Sequence, residues 1–133
     1  MNARLILIAL LLVLVLPAQA QDRTYNSVKE ILAETRFRIV DLETYKREIR
    51  TGKVVGFFFS EVLGVDGPNG LLAKVFKESM GPFTGLKFVA HRRDPSIGWQ
   101  QYTDMGFTGT PAYAIYHNGE RLFVHTGGPS DKR

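Results

Sequence analysis

The sequence predicts an α/β sandwich built on a mixed sheet that closes with a β-hairpin. Three observations carry this. Residues 54–59 (Val-Val-Gly-Phe-Phe-Phe) and 86–90 (Leu-Lys-Phe-Val-Ala) are short, largely apolar runs. The first is apolar on both faces, as a strand covered by helices on both sides must be. Leu71, Leu72, Val75 and Phe76 form a helical stripe between the two runs, which implies parallel pairing through a right-handed crossover. Asn118-Gly119 then divides two further strand-like runs, the strongest short-range hairpin signal.

The elements follow from the N-terminus. Arg4, an apolar run over 5–16, Pro17 and Ala18-Gln19-Ala20 read as a signal peptide over 1–20. Twelve apolar residues at ~1.5 Å each make only about 18 Å of helix, short of a membrane span. The expected product is a single domain over 21–133, exported to the periplasm or the medium, with no membrane anchor after cleavage. No cysteine is present to carry a lipid.

Ser27-Val28-Lys29-Glu30 matches a capping box opening a short helix, with Val28, Ile31 and Leu32 on one face. Residues 36–40 are a brief strand. Asp41 caps a second helix whose apolar positions are Leu42, Tyr45 and Ile49, and Gly52 stops it. The strand over 54–59 follows, then a loop over 60–70 and the helix carrying the apolar stripe. After the strand over 86–90, Asp94-Pro95 predicts a helix that turns Trp99, Tyr102 and Met105 inward and ends at Gly106. Pro111, a strand over 112–116, the turn over 117–120 and a strand over 121–125 complete the reading.

Composition removes whole classes of function. The net charge of +4 falls to +3 once Arg4 leaves with the leader, and the basic residues are scattered. Nucleic-acid binding needs a focused basic surface, so it is not expected. Ser60 and Glu61 have no histidine near them in sequence and match no hydrolase motif. His91 and Asp94 are two potential ligands where a structural metal site takes four, and read as solvated loop residues. Lys46, Arg47 and Arg50 read as the wet face of a helix, and Trp99 and Tyr102 as core. No catalytic residue, cofactor or metal is expected.

Residues 54–59 followed by Ser60-Glu61, the segment from Asp94-Pro95 through Gly109-Thr110-Pro111, and the strand–Asn118-Gly119-Glu120–strand unit resemble the thioredoxin fold family. The resemblance implies a thioredoxin-like α/β/α sandwich with a mixed central sheet and C-terminal hairpin. The family's final helix has no counterpart, because 127–133 is too short and too broken for one. The uncovered face is then left to the N-terminal helix, a subunit or a partner, unless the chain is a fragment.

The family's redox motif, two cysteines separated by two residues at the loop-to-helix junction, is missing. Laid against the strand without a gap, its positions fall at Leu63 and Asp66. Gly67-Pro68-Asn69-Gly70 lengthens the loop and leaves the register open. Disulfide exchange requires a thiolate, so thiol oxidoreductase, isomerase and peroxidase chemistry is excluded at any register.

The resemblance also implies a cis Pro111 against this loop. It implies a peptide groove walled by Ser60, Leu63, Gly64, Val65 and Asp66 on one side and Thr110-Pro111 on the other, gripping an extended segment by backbone pairing. Outside the family, Pro111 simply opens a strand. The expected function is an exported, redox-inactive domain that binds a protein or extended peptide as an adaptor or chaperone-like module. A structural subunit of a larger envelope or secretory complex, and a truncated paralogue of a thiol oxidoreductase, are the alternatives.

Overall fold

A computed structural model describes residues 24–128. The signal peptide expected over 1–20 lies outside the described residues, as do 21–23 and 129–133. Ten elements follow one another: α1 (Val28–Leu32), β1 (Arg38–Ile39), α2 (Leu42–Glu48), β2 (Lys53–Phe59), a 3₁₀ turn (Gly64–Asp66), α3 (Pro68–Ser79), β3 (Lys87–Arg92), α4 (Trp99–Asp104), β4 (Ala112–His117) and β5 (Glu120–Thr126).

The strands form one sheet in the order β1-β3-β2-β4-β5. β3 runs parallel to both β1 and β2, whereas β4 is antiparallel to β2 and β5. β2 thus sits at the centre, pairing Phe57 with Ala90 on one side and Tyr113 on the other. Its six residues from Val54 to Phe59 are all buried, as a strand apolar on both faces requires.

Alternation along the strands divides the interior into two cores. On one face Val55, Phe57, Phe59, Phe88 and Ala90 pack with Val28, Ile31 and Leu32 of α1 and Leu72 and Ala73 of α3. On the other, Val54, Phe58, Val89, Ala112, Ala114 and Tyr116 pack with Leu42 and Tyr45 of α2 and Tyr102 of α4. Each fully buried phenylalanine contributes about 1.5–3 kcal/mol of transfer free energy. Two helices therefore cover each face, and α1 shares its face with α3. No helix follows β5 among the described residues, and β5 leaves Leu122 and Phe123 exposed.

Several expectations are corrected. The loop after β2 ends earlier than Gly70, because Pro68 occupies the first helical position with Gly67 as N-cap. A residue without an N–H suits that place. The predicted stripe is split: Leu71 and Val75 are exposed, and the buried face runs through Asn69, Leu72, Ala73 and Met80.

Asp94-Pro95 opens a turn and not a helix. Asp94 Oδ1 accepts from the Ser96 N–H at 2.9 Å and from its hydroxyl at 2.7 Å, and α4 starts only at Trp99 behind Gly98. Trp99 is 39 % exposed, so its ring meets Phe58 and Tyr102 from the rim. The first strand shrinks to two residues.

His91 belongs to β3 and is buried, contrary to its reading as a solvated loop residue. Its Nδ1 lies 2.9 Å from the Val40 carbonyl oxygen and its Nε2 2.9 Å from the Tyr102 hydroxyl. The Tyr102 oxygen accepts in turn from the Asp94 N–H at 3.1 Å. Nδ1 must donate to the carbonyl, so in the neutral ring Nε2 accepts the Tyr102 proton. Burial holds its pKa below the ordinary histidine value, against the opposing pull of the Val40 bond and of Asp94 and Asp41.

Candidate functional site

The site begins with two side chains at the exit of β2. Ser60 is buried, and its N–H donates to Asn69 Oδ1 at 2.9 Å. Asn69 is itself buried in the first turn of α3. Ser60 Oγ then lies 3.0 Å from Thr110 Oγ1 and accepts from the Val62 N–H at 3.3 Å. One serine therefore ties the loop after β2, the start of α3 and the segment before β4 into a single corner.

Thr110-Pro111 is a cis peptide bond. Pro111 is fully buried, and its carbonyl accepts from the Gly127 N–H at 2.7 Å. Gly128 packs directly on Pro68, where a Cβ would come within 2.9 Å of the proline ring. The end of β5 thus closes the corner from the third side. Thr110 keeps its main-chain N–H and C=O unpaired among the described residues, at the rim where the corner opens.

The remaining wall residues divide by exposure. Val62 and Leu63 are 64 % and 76 % exposed, which makes the loop crest apolar. Leu63 has φ 65° and Gly64 φ 67°, two consecutive left-handed residues that turn the chain into the 3₁₀ segment. Val65 is folded back against the core under α1 and α3, so it supports the wall from beneath. Asp66 points to solvent and meets Lys74 at 3.6 Å. The structure therefore joins Ser60 to Thr110, which precedes Pro111, leaves Leu63 exposed on the same loop, packs Val65 on the core and leaves Asp66 at the surface.

The loop-to-helix junction falls at Gly67–Pro68. Three pairs at a spacing of three straddle it, Val65/Pro68, Asp66/Asn69 and Gly67/Gly70, and none carries a thiol. Sequence reading took Asn69 and Gly70 only as part of a lengthened loop and did not bring Gly128 to the site. A Cβ on Gly70 would lie 2.0 Å from the Val65 carbonyl oxygen, so only glycine lets the loop pack on the helix here. The signal that was available is Gly67-Pro68 itself, a residue pair that starts helices.

Glu61 has a separate task. Its Oε1 and Oε2 accept from the Val28 and Lys29 N–H groups at 2.8 and 3.0 Å. Ser27 Oγ accepts from the Glu30 N–H at 3.0 Å. The free donors of α1 are thereby satisfied, one of them by its own cap and two from the far side of β2. The Glu30 carboxylate reaches Asn26 N at 3.1 Å, one residue before the cap.

No thiol, no cluster of three or more metal-ligating side chains among the described residues, and no serine–histidine pair exists at the corner. The corner offers the exposed apolar side chains of Val62 and Leu63 on its loop and the unpaired main chain of Thr110.

No family model and no curated protein sequence matches the chain. Solved structures do. Thioredoxin f from spinach chloroplast superposes with a TM-score of 0.58 at 15% identity, over 69% of this chain and 81% of that one. Thioredoxin f2 of Chlamydomonas reinhardtii gives 0.57 at 18% identity, over 68% and 83%. The thioredoxin of Plasmodium falciparum gives 0.56 at 21%, over 69% and 87%. These likenesses establish the fold.

Proposed function

From a thioredoxin-like fold that carries no cysteine, we propose that this chain is an exported, non-enzymatic binding module. It holds an extended segment of a protein partner in an adaptor or chaperone-like role, in the periplasm or outside the cell. The observation that carries the reading is the 3.0 Å contact between Ser60 and Thr110. It ties Thr110, whose main chain is unpaired among the described residues, to the loop that carries the exposed side chains of Val62 and Leu63. An extended peptide laid there pairs its backbone with Thr110 and rests apolar side chains on the loop crest, which is recognition by strand addition. Export rests on the leader-like residues 1–20. Thiol chemistry is excluded because no thiolate can form.

A photoreactive residue at Leu63 tests this with defined peptides. Extended apolar peptides should crosslink there, and Thr110→Pro, which removes the main-chain donor, should abolish the adduct. Equal crosslinking by the Thr110→Pro protein would overturn the reading. The alternative, a dedicated subunit, is favoured by the exposed Leu122 and Phe123 on edge strand β5. A probe at Phe123 that captures one stoichiometric partner, with none at Leu63, would select it.

A further inference from the structure

A cleft of about 810 Å³ opens on the other side of the Ser60–Val62 segment, where the carboxyl ends of parallel strands β1, β2 and β3 come together. Crevices at strand carboxyl ends are habitual ligand sites in open α/β sheets. We propose that this cleft binds a carboxylate carried on an apolar body, with Arg93 as its main anchor and Arg92 and Lys29 as supporting cations.

The formal charges that line the cleft balance, three carboxylates against three cations. Three carboxylates line it, and all are committed to neighbouring N–H groups: Asp41 to Thr44, Glu61 to α1, and Asp94 to Ser96. Lys29, Arg92 and Arg93 also line it, and none of them has an ion-pair partner among the described residues. His91 has no ring nitrogen left for a ligand, since both are engaged with Val40 and Tyr102. With the lining neutral overall, a single carboxylate seated on the arginines is opposed less by Asp41, Glu61 and Asp94 than a doubly charged phosphate would be.

Arg93 has the geometry of an anchor. Its N–H is fixed to the Phe59 carbonyl at 2.7 Å, and its guanidinium carbon stands 4.5 Å from the centre of the Trp99 ring. Stacking orients the guanidinium and leaves its in-plane donors unspent. Its Nε is buried and makes no hydrogen bond. A carboxylate in the cleft accepts instead from the terminal Nη1 and Nη2 donors, in a bidentate pair. Ile39, Phe59, Val62 and Ile97 line the same cleft and supply apolar surface for the rest of the ligand.

Trp99 is the sole tryptophan of the chain, so its fluorescence reports on Arg93 directly. The full chain is titrated with octanoate, with an N-acetylated peptide ending in leucine, and with the same peptide amidated, with calorimetry in parallel. The expected result is saturable binding of a free acid and none of the amide. Arg93→Ala should weaken it roughly tenfold or more, as loss of a charged hydrogen-bond pair does, and Arg93→Lys should lose part of it. Lys29→Ala, on the exposed side of α1, should weaken it less and cannot be blamed on misfolding. Tighter binding of octanoate assigns a small acid, and tighter binding of the peptide assigns a chain terminus. Three results would overturn the proposal: no saturable binding of either acid, equal binding of acid and amide, or unchanged affinity in both Arg93→Ala and Lys29→Ala. The same titrations of the Thr110→Pro protein separate these outcomes from peptide binding at the Thr110 groove.

Discussion

Asn69 Oδ1 accepts the Ser60 N–H at 2.9 Å with both residues buried. This bond holds the end of the central strand against the start of α3, and so fixes the position of Ser60 under Thr110. Replacing Asn69 by Ala leaves a buried N–H without a partner, which costs about 1–3 kcal/mol. Urea denaturation of Asn69→Ala should show that loss, and the amide resonances of both Ser60 and Thr110 should move.

The Glu61 carboxylate stabilises α1 from outside the helix. Glu61→Ala removes the acceptor for two main-chain donors, equivalent to losing an N-cap at about 0.5–2 kcal/mol. Amide exchange at Val28 and Lys29 should quicken in this variant while the core of β2 stays protected. Uniform loss of protection across the sheet would mean that α1 and the sheet open as one unit.

Gly56 in β2 lies against Tyr45, whose buried hydroxyl bonds to that of Tyr116 at 3.1 Å. A Cβ at Gly56 would sit 1.9 Å from the Tyr45 oxygen. Gly56→Ala should therefore destabilise by about 1–3 kcal/mol through overpacking. The double variant Gly56→Ala/Tyr45→Phe, which removes the clashing oxygen, should be less destabilised than the sum of its parts. Thermal denaturation of the four proteins gives the coupling.

Local chemistry made much of this fold legible, and distance limits mark where legibility stopped. Asn118 and Gly119 have φ 49° and 89°, the two positive values a two-residue hairpin turn needs, and their identities announced it. Asp41 and Ser27 cap the helices they were expected to cap. Asp94 was misleading because a side-chain acceptor suits a turn as well as a helix start. Pro68 was misleading in the opposite sense, since it punctuates loops and also opens helices. The ties that build the corner join Ser60 to Asn69 and Thr110, Glu61 to α1, and Gly128 to Pro68. They span separate elements and leave no periodic trace, so no local pattern could reveal them. His91 looked like a loop residue for the same reason: its partners Val40 and Tyr102 stand on other elements.

The neutral His91 makes stability depend on pH. Burial lowers its pKa in the folded protein, whereas the unfolded chain keeps the ordinary value of about 6.5. As pH falls below that value the unfolded state takes up the proton first, so its share of stability is present above pH ~6.5 and is lost on acidification towards the folded pKa. Asp41, Asp94 and Glu48 are held below the ordinary carboxylate range by Thr44, Ser96, and Lys87 with Arg38 respectively. Their contributions are present above about pH 4 and fade only below it. Urea midpoints should therefore fall in two stages, and His91→Gln should flatten the upper one.

The central claim concerns the main chain of Thr110, and amide hydrogen exchange at that residue tests it most directly. In the free protein the Thr110 N–H has no partner among the described residues and should exchange rapidly. Saturation with an extended apolar peptide should slow it by at least about tenfold, as pairing with a new strand protects a donor. Binding of the same peptide with Thr110 exchange unchanged would contradict the account.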